Sequence, residues 1–192
     1  MDDKWRLPHS IELGGVEYEI RTDFRVVLDI MQAMVDPELS QDEKIEILFR
    51  ILFWNPEEIP EKYLQEAIDK AMVFLDCGIS GEGKSKTRLM DWEQDSPLIA
   101  SAINKNTGKD IRSLKYMHWW TFLGAYLEIS EGVFHEILQI RQKKAAGKKL
   151  EKWEQEFYQK NKKLVNLKKE TPKRSAEEEA ALKELFSNYR KR

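Results

Sequence analysis

Hydrophobic positions change their period along this chain, and each change predicts an element. Ser10-Ile11-Glu12-Leu13 and Val16-Glu17-Tyr18-Glu19-Ile20 alternate apolar with polar around Gly14-Gly15. Alternation about a Gly-Gly pair predicts a β-hairpin, because a tight two-residue turn needs positive φ at both central positions. The apolar residues Phe24, Val27, Leu28, Met31, Met34 and Val35 then share one face at 3.6 residues per turn, with Thr22 or Asp23 as the cap and Pro37 as the stop. Ser40-Gln41-Asp42-Glu43 reads as a capping box opening a helix through Ile45, Ile47, Leu48, Ile51, Leu52 and Trp54. Pro56 and Pro60 bracket a turn, and Tyr63, Leu64, Ala67, Ile68, Ala71, Met72, Phe74 and Leu75 mark the next helix, with Gly78 as its C-cap.

Residues 78–90 are polar, rich in Gly, Lys and Ser, and without period, which predicts an exposed loop. A helix is predicted from about Asp95, with Pro97 tolerated in its first turn and Asn106-Thr107-Gly108 at its end. Ser113 is expected to start an aromatic helix carrying Leu114, Met117, Trp119, Trp120, Phe122, Leu123, Tyr126 and Leu127, and Gly124 within it suggests close helix approach. A further helix follows Ser130. Ala145-Ala146-Gly147 reads as a hinge, after which Leu150, Trp153, Phe157, Tyr158, Val165 and Leu167 form a thin apolar stripe on one charged helix. Thr171-Pro172 ends it. Ser175-Ala176-Glu177-Glu178 caps a last helix whose apolar residues are Leu182, Leu185, Phe186 and Tyr189. The fold class is mainly α: an acidic helical body over 1–140 with an N-terminal β-hairpin, and a basic helical C-terminal arm over 141–192.

Charge sharpens that division. The net charge of −2 conceals −11 over residues 1–140 and +9 over 141–192. Such polarity concerns partners and solubility rather than fold. It reads first as a solvated charged helix at the C-terminus, and next as a basic arm that meets an acidic partner or the acidic body of a neighbouring copy. One cysteine, Cys77, rules out an internal disulfide framework and favours a reducing compartment. Residues 1–20 carry no apolar stretch of the kind a secretory signal needs, and no run approaches the ~20 apolar residues of a membrane helix.

Several strings invite a chemical reading and fail on context. Gly78-Ile79-Ser80-Gly81-Glu82-Gly83-Lys84-Ser85 fits the phosphate-binding string G-x-x-x-x-G-K-[ST]. That chemistry requires a buried strand leading in and a helix leading out, and a helical period precedes Gly78. His135-Glu136-Ile137-Leu138-Gln139 lacks the second histidine of the zinc motif H-E-x-x-H. Asp91, Glu93 and Asp95 read better as helix N-terminal caps than as a catalytic carboxylate cluster. His118-Trp119-Trp120 lacks the basic groove of a single-strand nucleic-acid platform, and the arm's lysines are interleaved with glutamates. The residues therefore point to no catalytic group, no cofactor, no metal, no nucleic acid and no membrane. An enzyme reading survives only as a P-loop nucleotide hydrolase.

Asp91, Trp92, Asp95, Ile99, Ala102, Gly108, Ile111, Met117, His118, Trp119, Trp120 and Phe122 stand at the places of a longer pattern. It resembles the gene-product-15 family of long-tailed bacteriophages, with residues 91–126 its specific part. That resemblance implies a phage or prophage protein encoded beside the tape measure gene. It further implies a tail assembly chaperone that holds the tape measure protein soluble in the host bacterial cytoplasm while the tail forms. A structural virion component of the tail or head–tail junction is the alternative. The expected partners are the tape measure protein, other tail assembly proteins and further copies of this chain. The expected contact residues are Trp119, Trp120 and Tyr126 in the body and Trp153 and Phe157 in the arm. Each of these, taken singly, reads as core more readily than as surface.

Overall fold

The computed structural model describes residues 5–78 and 87–168. Its only sheet among these residues is the hairpin β1 (Ser10–Leu13) and β2 (Val16–Glu19), with Leu13 opposite Val16 and Ser10 opposite Glu19. Gly14 and Gly15 both have positive φ, 57° and 85°. A Cβ on Gly14 would fall 2.1 Å from the Tyr63 hydroxyl, so the close approach of that ring adds a second reason for glycine there.

Eight α-helices follow among the described residues: α1 (Phe24–Val35), α2 (Gln41–Leu52), α3 (Leu64–Leu75), α4 (Ser96–Thr107), α5 (Trp119–Leu127), α6 (Val133–Ala145), α7 (Lys152–Lys160) and α8 (Lys162–Val165). Asp23 caps α1 through the Arg25 amide. The Ser40–Glu43 capping box is formed at α2 in both directions, so two amide donors of its first turn have partners. Gly108, at φ 69°, ends α4 as the left-handed residue its position requires. One main core joins β1, α1, α2, α3, α4 and α5, with Leu13, Val27, Ile30, Leu52, Ile103 and Trp119 wholly buried. A smaller cluster, Ile137, Ile140 and Val165, joins α6 to α8, with Phe157 packed on its edge.

Four expectations need correction. The aromatic helix does not begin at Ser113: a short 3-10 turn at Ile111–Ser113 leads to extended backbone, and α5 starts at Trp119 with His118 as its cap. The extended stretch is used for pairing, since Phe24 N donates to Met117 O and Trp119 N to Thr22 O. Among the described residues no helix sits against Gly124, and no described atom lies where its Cβ would be. The apolar stripe after Gly147 is carried by two helices rather than one, because the chain breaks at Asn161. Asp95 does not cap α4 with its side chain. The predicted helix over Leu182–Tyr189, its cap at Ser175 and the break at Thr171-Pro172 lie outside the described residues, as does most of the loop 78–90.

What Asp95 does instead decides how the C-terminal segment is held. The 140/141 division falls within α6, and Arg141 from that helix is buried beside Asp95 with both side chains almost wholly inaccessible. Arg141 Nη1 donates to Asp95 Oδ2 at 2.6 Å and to Leu89 O at 3.0 Å. Its Nη2 donates to Asp95 Oδ1 at 2.9 Å and to Leu164 O at 2.7 Å, and its Nε donates to Val165 O at 2.7 Å. All five guanidinium donor directions are thus used, which a lysine's point charge cannot reproduce. Asp95 Oδ2 also accepts from Asp91 N at 3.0 Å. One side chain therefore ties α6 to α8, to the entry of α4 and to the backbone at Leu89.

Arg141→Met should destabilise the protein by about 3–5 kcal/mol, because it leaves the Asp95 carboxylate buried without its counter-charge. Arg141→Met with Asp95→Leu should recover a large part of that loss. Urea unfolding of the two variants measures both, and a single-variant cost below about 1 kcal/mol would contradict a buried, fully bonded pair.

Candidate partner-binding site

The expected contact residues separate into two groups when placed on this fold. Trp119, Trp120 and Tyr126 lie on α5 against the main core, whereas Trp153 and Phe157 lie on α7. Trp119 is wholly inaccessible. Burying an indole removes roughly 150–250 Å² from water, worth about 4–6 kcal/mol, so the folded body offers this ring to no partner. Trp120 and Tyr126 are half-buried, Phe157 is half-buried against the α6–α8 cluster, and Trp153 is 47% exposed with its Nε1 donating to the Glu151 carboxylate at 3.0 Å. The Tyr126 hydroxyl donates to Met90 Sδ, and its ring lies 5.0 Å from that of Trp92. Burial, then the negative charge of Asp95, pushes the Tyr126 phenol above its usual range.

His118, Trp119 and Trp120 turn out to share one structural task. The last carbonyls of a helix have no intrahelical donor. At the C-terminus of α3, Trp119 Nε1 donates to Leu75 O at 2.9 Å and Trp120 Nε1 to Phe74 O at 2.9 Å, both residues being buried. Two consecutive indoles on α5 thus serve two consecutive carbonyls on α3. His118 Nδ1 accepts from Trp120 N at 3.0 Å, which makes it the N-cap of α5. Its Nε2 then carries the proton and donates to Pro8 O at 2.9 Å. Phe24 stacks on Phe122 with centroids 4.4 Å apart, and Trp92 meets Trp119 edge-on at 6.3 Å. Sequence reasoning found these residues but could not assign the task, because the acceptors lie 44 and 46 positions away.

The acidic segment ahead of α4 also divides its work. Asp91 Oδ1 accepts from the amides of Glu93 and Gln94, so Asp91 closes the turn, while Asp95 pairs with Arg141. Glu93 is exposed. Gly78, the first residue of the phosphate-loop string, follows the helix α3 rather than a strand; the remainder of the string lies outside the described residues. Gln139 Nε2 stands 3.5 Å from His135 Nε2, and among the described residues no group of three or more His, Cys, Asp or Glu side chains is placed to hold a metal ion. Burial, with the Asp76 charge beside it, pushes the Cys77 thiol up to about 11. A thiol so shifted stays protonated at neutral pH and is a poor nucleophile. Among the described residues no helix is long and apolar enough to cross a membrane.

A sequence model of the family described as bacteriophage Gp15 protein matches residues 1–167. The chain belongs to that family. It is therefore a bacteriophage protein, and its family match extends through the whole Arg141 clasp, to the residues that follow α8. No curated protein and no solved structure matched the chain.

In this Gp15 family member one side of α5 is only partly covered among the described residues. Trp120, Leu123, Gly124 and Leu127 lie together there at helical spacing; the first two are half-buried, Gly124 is exposed and Leu127 is 59% exposed. That outer face was legible as apolar, but its exposure was not, since the sequence alone predicted burial on both sides.

Two outcomes test this account of the His-Trp-Trp segment. Trp119→Phe keeps a ring but leaves Leu75 O without its donor, so it should lower stability by at least ~1–3 kcal/mol in urea unfolding. An effect within ~0.5 kcal/mol would contradict the assigned bond. Burial, opposed by the Pro8 carbonyl bond and aided by nearby His9, holds the His118 imidazole below its ordinary value of 6.5. The unfolded chain therefore binds the proton more readily, so this contribution is whole above pH 6.5 and is lost as pH falls through the folded value. The melting temperature should drop between pH 7.5 and 5.5. His118→Asn, whose side-chain oxygen still caps Trp120, should show a shallower drop; equal slopes would remove His118 as the cause.

Proposed function

We propose that this phage protein acts in tail assembly in the host cytoplasm, as a chaperone that binds the tape measure protein and keeps it soluble until the tail tube surrounds it. It works by binding rather than by catalysis. The observation that carries this reading is the family match over residues 1–167. The physical arrangement supports it. An amphipathic client helix is recognised by laying its apolar stripe in a complementary apolar groove. The outer face of α5 supplies apolar side chains around an exposed glycine, where a second helix backbone can come close.

A charged periphery keeps such a binder dispersed. Lys148, Lys149, Lys152, Lys160, Lys162 and Lys163 are all exposed around α7 and α8, whereas the body carries the acidic excess. The contrast supports contacts between the lysine-rich end and an acidic partner, including the body of another copy.

Co-expression with the tape measure protein encoded beside it tests the proposal. The client should move into the soluble fraction and co-purify with this chain. Leu123→Glu with Leu127→Glu should reduce capture at least tenfold, while circular dichroism shows the variant still folded. A client that is equally soluble without the chain sinks the chaperone reading. Stoichiometric co-sedimentation with purified particles would establish the structural virion component instead.

A further inference from the structure

The outer edge of β2 is only partly paired. Ile20 N donates to His9 O at 2.9 Å, so Val16, Tyr18 and Ile20 turn their backbone groups toward β1, and Glu17 and Glu19 turn theirs outward. On that outer side Arg21 N donates to Leu52 O at 2.7 Å and Trp54 N to Glu19 O at 3.1 Å. The pairing stops there. Glu17 N–H and C=O take no partner among the described residues. A cleft of about 230 Å³ opens at this point between β2 and the Trp54–Asn55 turn, with Glu17, Glu19 and Glu58 in its walls.

Charge on this edge is of one sign. Glu12 and Glu17 stand directly opposite each other on one face of the hairpin, an arrangement of like charges that costs stability. Lys70 lies beside them, bonded to Glu12 O at 2.5 Å, but its ammonium is paired with Glu66 at 2.8 Å. Glu12, Glu17, Glu19 and Glu58 are all exposed. Acidic side chains on an open edge repel another acidic strand and admit a cationic one.

The stretch between α6 and α7 has the complementary form. Lys148 N donates to Lys143 O at 2.8 Å, and Leu150 O accepts from Gln155 Nε2 at 2.8 Å. Lys149 N–H and C=O, between them, take no partner among the described residues. Successive residues of a strand point their backbone groups to opposite sides, so Lys149 can face an added edge while Lys148 and Leu150 keep their present bonds. Both lysines are exposed.

We propose that the free edge at Glu17 takes residues 148–150 of a second copy as a short added antiparallel strand. Glu17 and Lys149 exchange two backbone hydrogen bonds. Lys149 then lies on the Glu12–Glu17 face, and Lys148 lies on the face of Tyr18, whose hydroxyl donates to Glu58 O. Edge and lysine stretch are different surfaces of one molecule, so the contact is head-to-tail and need not close. It deepens the contact proposed above between the lysine-rich end and the body of another copy, giving it an address on the acidic body, and it requires no client.

Sedimentation velocity of the full-length protein, with no client present, tests the contact, and its failure leaves the tape measure reading standing. The wild type should form species beyond the dimer as concentration rises, and about 500 mM salt should weaken the association at least tenfold relative to about 50 mM. Glu17→Lys, and separately Lys148→Ala with Lys149→Ala, should each weaken it at least tenfold. An equimolar mixture of these two variants should associate and stop at the dimer, since one working edge and one working lysine stretch remain between them. A wild type that stays monomeric to about 1 mM at low salt overturns the proposal. So does self-association that either variant leaves unchanged, or a mixture that does not associate.

Discussion

Carbonyl oxygens at the end of a buried helix need donors, and at the C-terminus of α3 they receive them from tryptophan. Phe74 and Leu75 are both packed in the core; Phe74 O accepts from Cys77 N as well as from the Trp120 indole, while Leu75 O meets the Trp119 indole. An unpaired carbonyl there would cost on the order of 1–3 kcal/mol, a large share of a typical domain's 5–15 kcal/mol. Meeting the need fixes α5 against α3 to within a hydrogen bond. The same residues then reach outward: Trp119 N pairs with Thr22 O, and the His118 ring ties the cap of α5 to Pro8 in the N-terminal strand approach. Hairpin, α1, α3 and α5 are held through three consecutive residues.

Arg141 performs the corresponding task for the C-terminal segment. The apolar cluster that binds α8 is small, with Ile137, Ile140 and Val165 at its centre. A guanidinium that satisfies the carbonyls of Leu89, Leu164 and Val165 while pairing with Asp95 supplies direction where apolar area is scarce. Lys143 adds a tie to the buried Glu154, whose carboxyl the lysine's hydrogen bond lowers below its usual range. The segment after α6 is thus joined to the body by polar bonds placed on a thin apolar contact.

For function, the consequence is that the most conspicuous residues of the family pattern are occupied by architecture. His118, Trp119 and Trp120 have their polar atoms committed, and the two-ring stack of Phe24 on Phe122 closes the core beneath them. The outward side of the helix they anchor is their by-product. Leu127 and Gly124 carry little motif character, yet they are what that helix presents.

Local order was written in the chain, because period and cap chemistry act over a few residues. The Gly14-Gly15 hairpin, the Asp23 cap, the Ser40–Glu43 box and the Gly108 stop all follow from neighbours within one or two turns. The helical class and the family pattern over 91–126 were legible for the same reason. Three things were decided only in three dimensions. Ser113–Met117 gave up helix for pairing with α1, since Asp23 and Thr22 offered it backbone and carboxylate partners 94 and 97 residues away from Met117 and Trp119. Asp95 left its cap for Arg141, because a charge enclosed by packing is stabilised far more by an opposite charge than by a helix end. Among the described residues none packs against Gly124, since which side of an apolar helix meets the core depends on where its partners stand, and period alone carries no information about that.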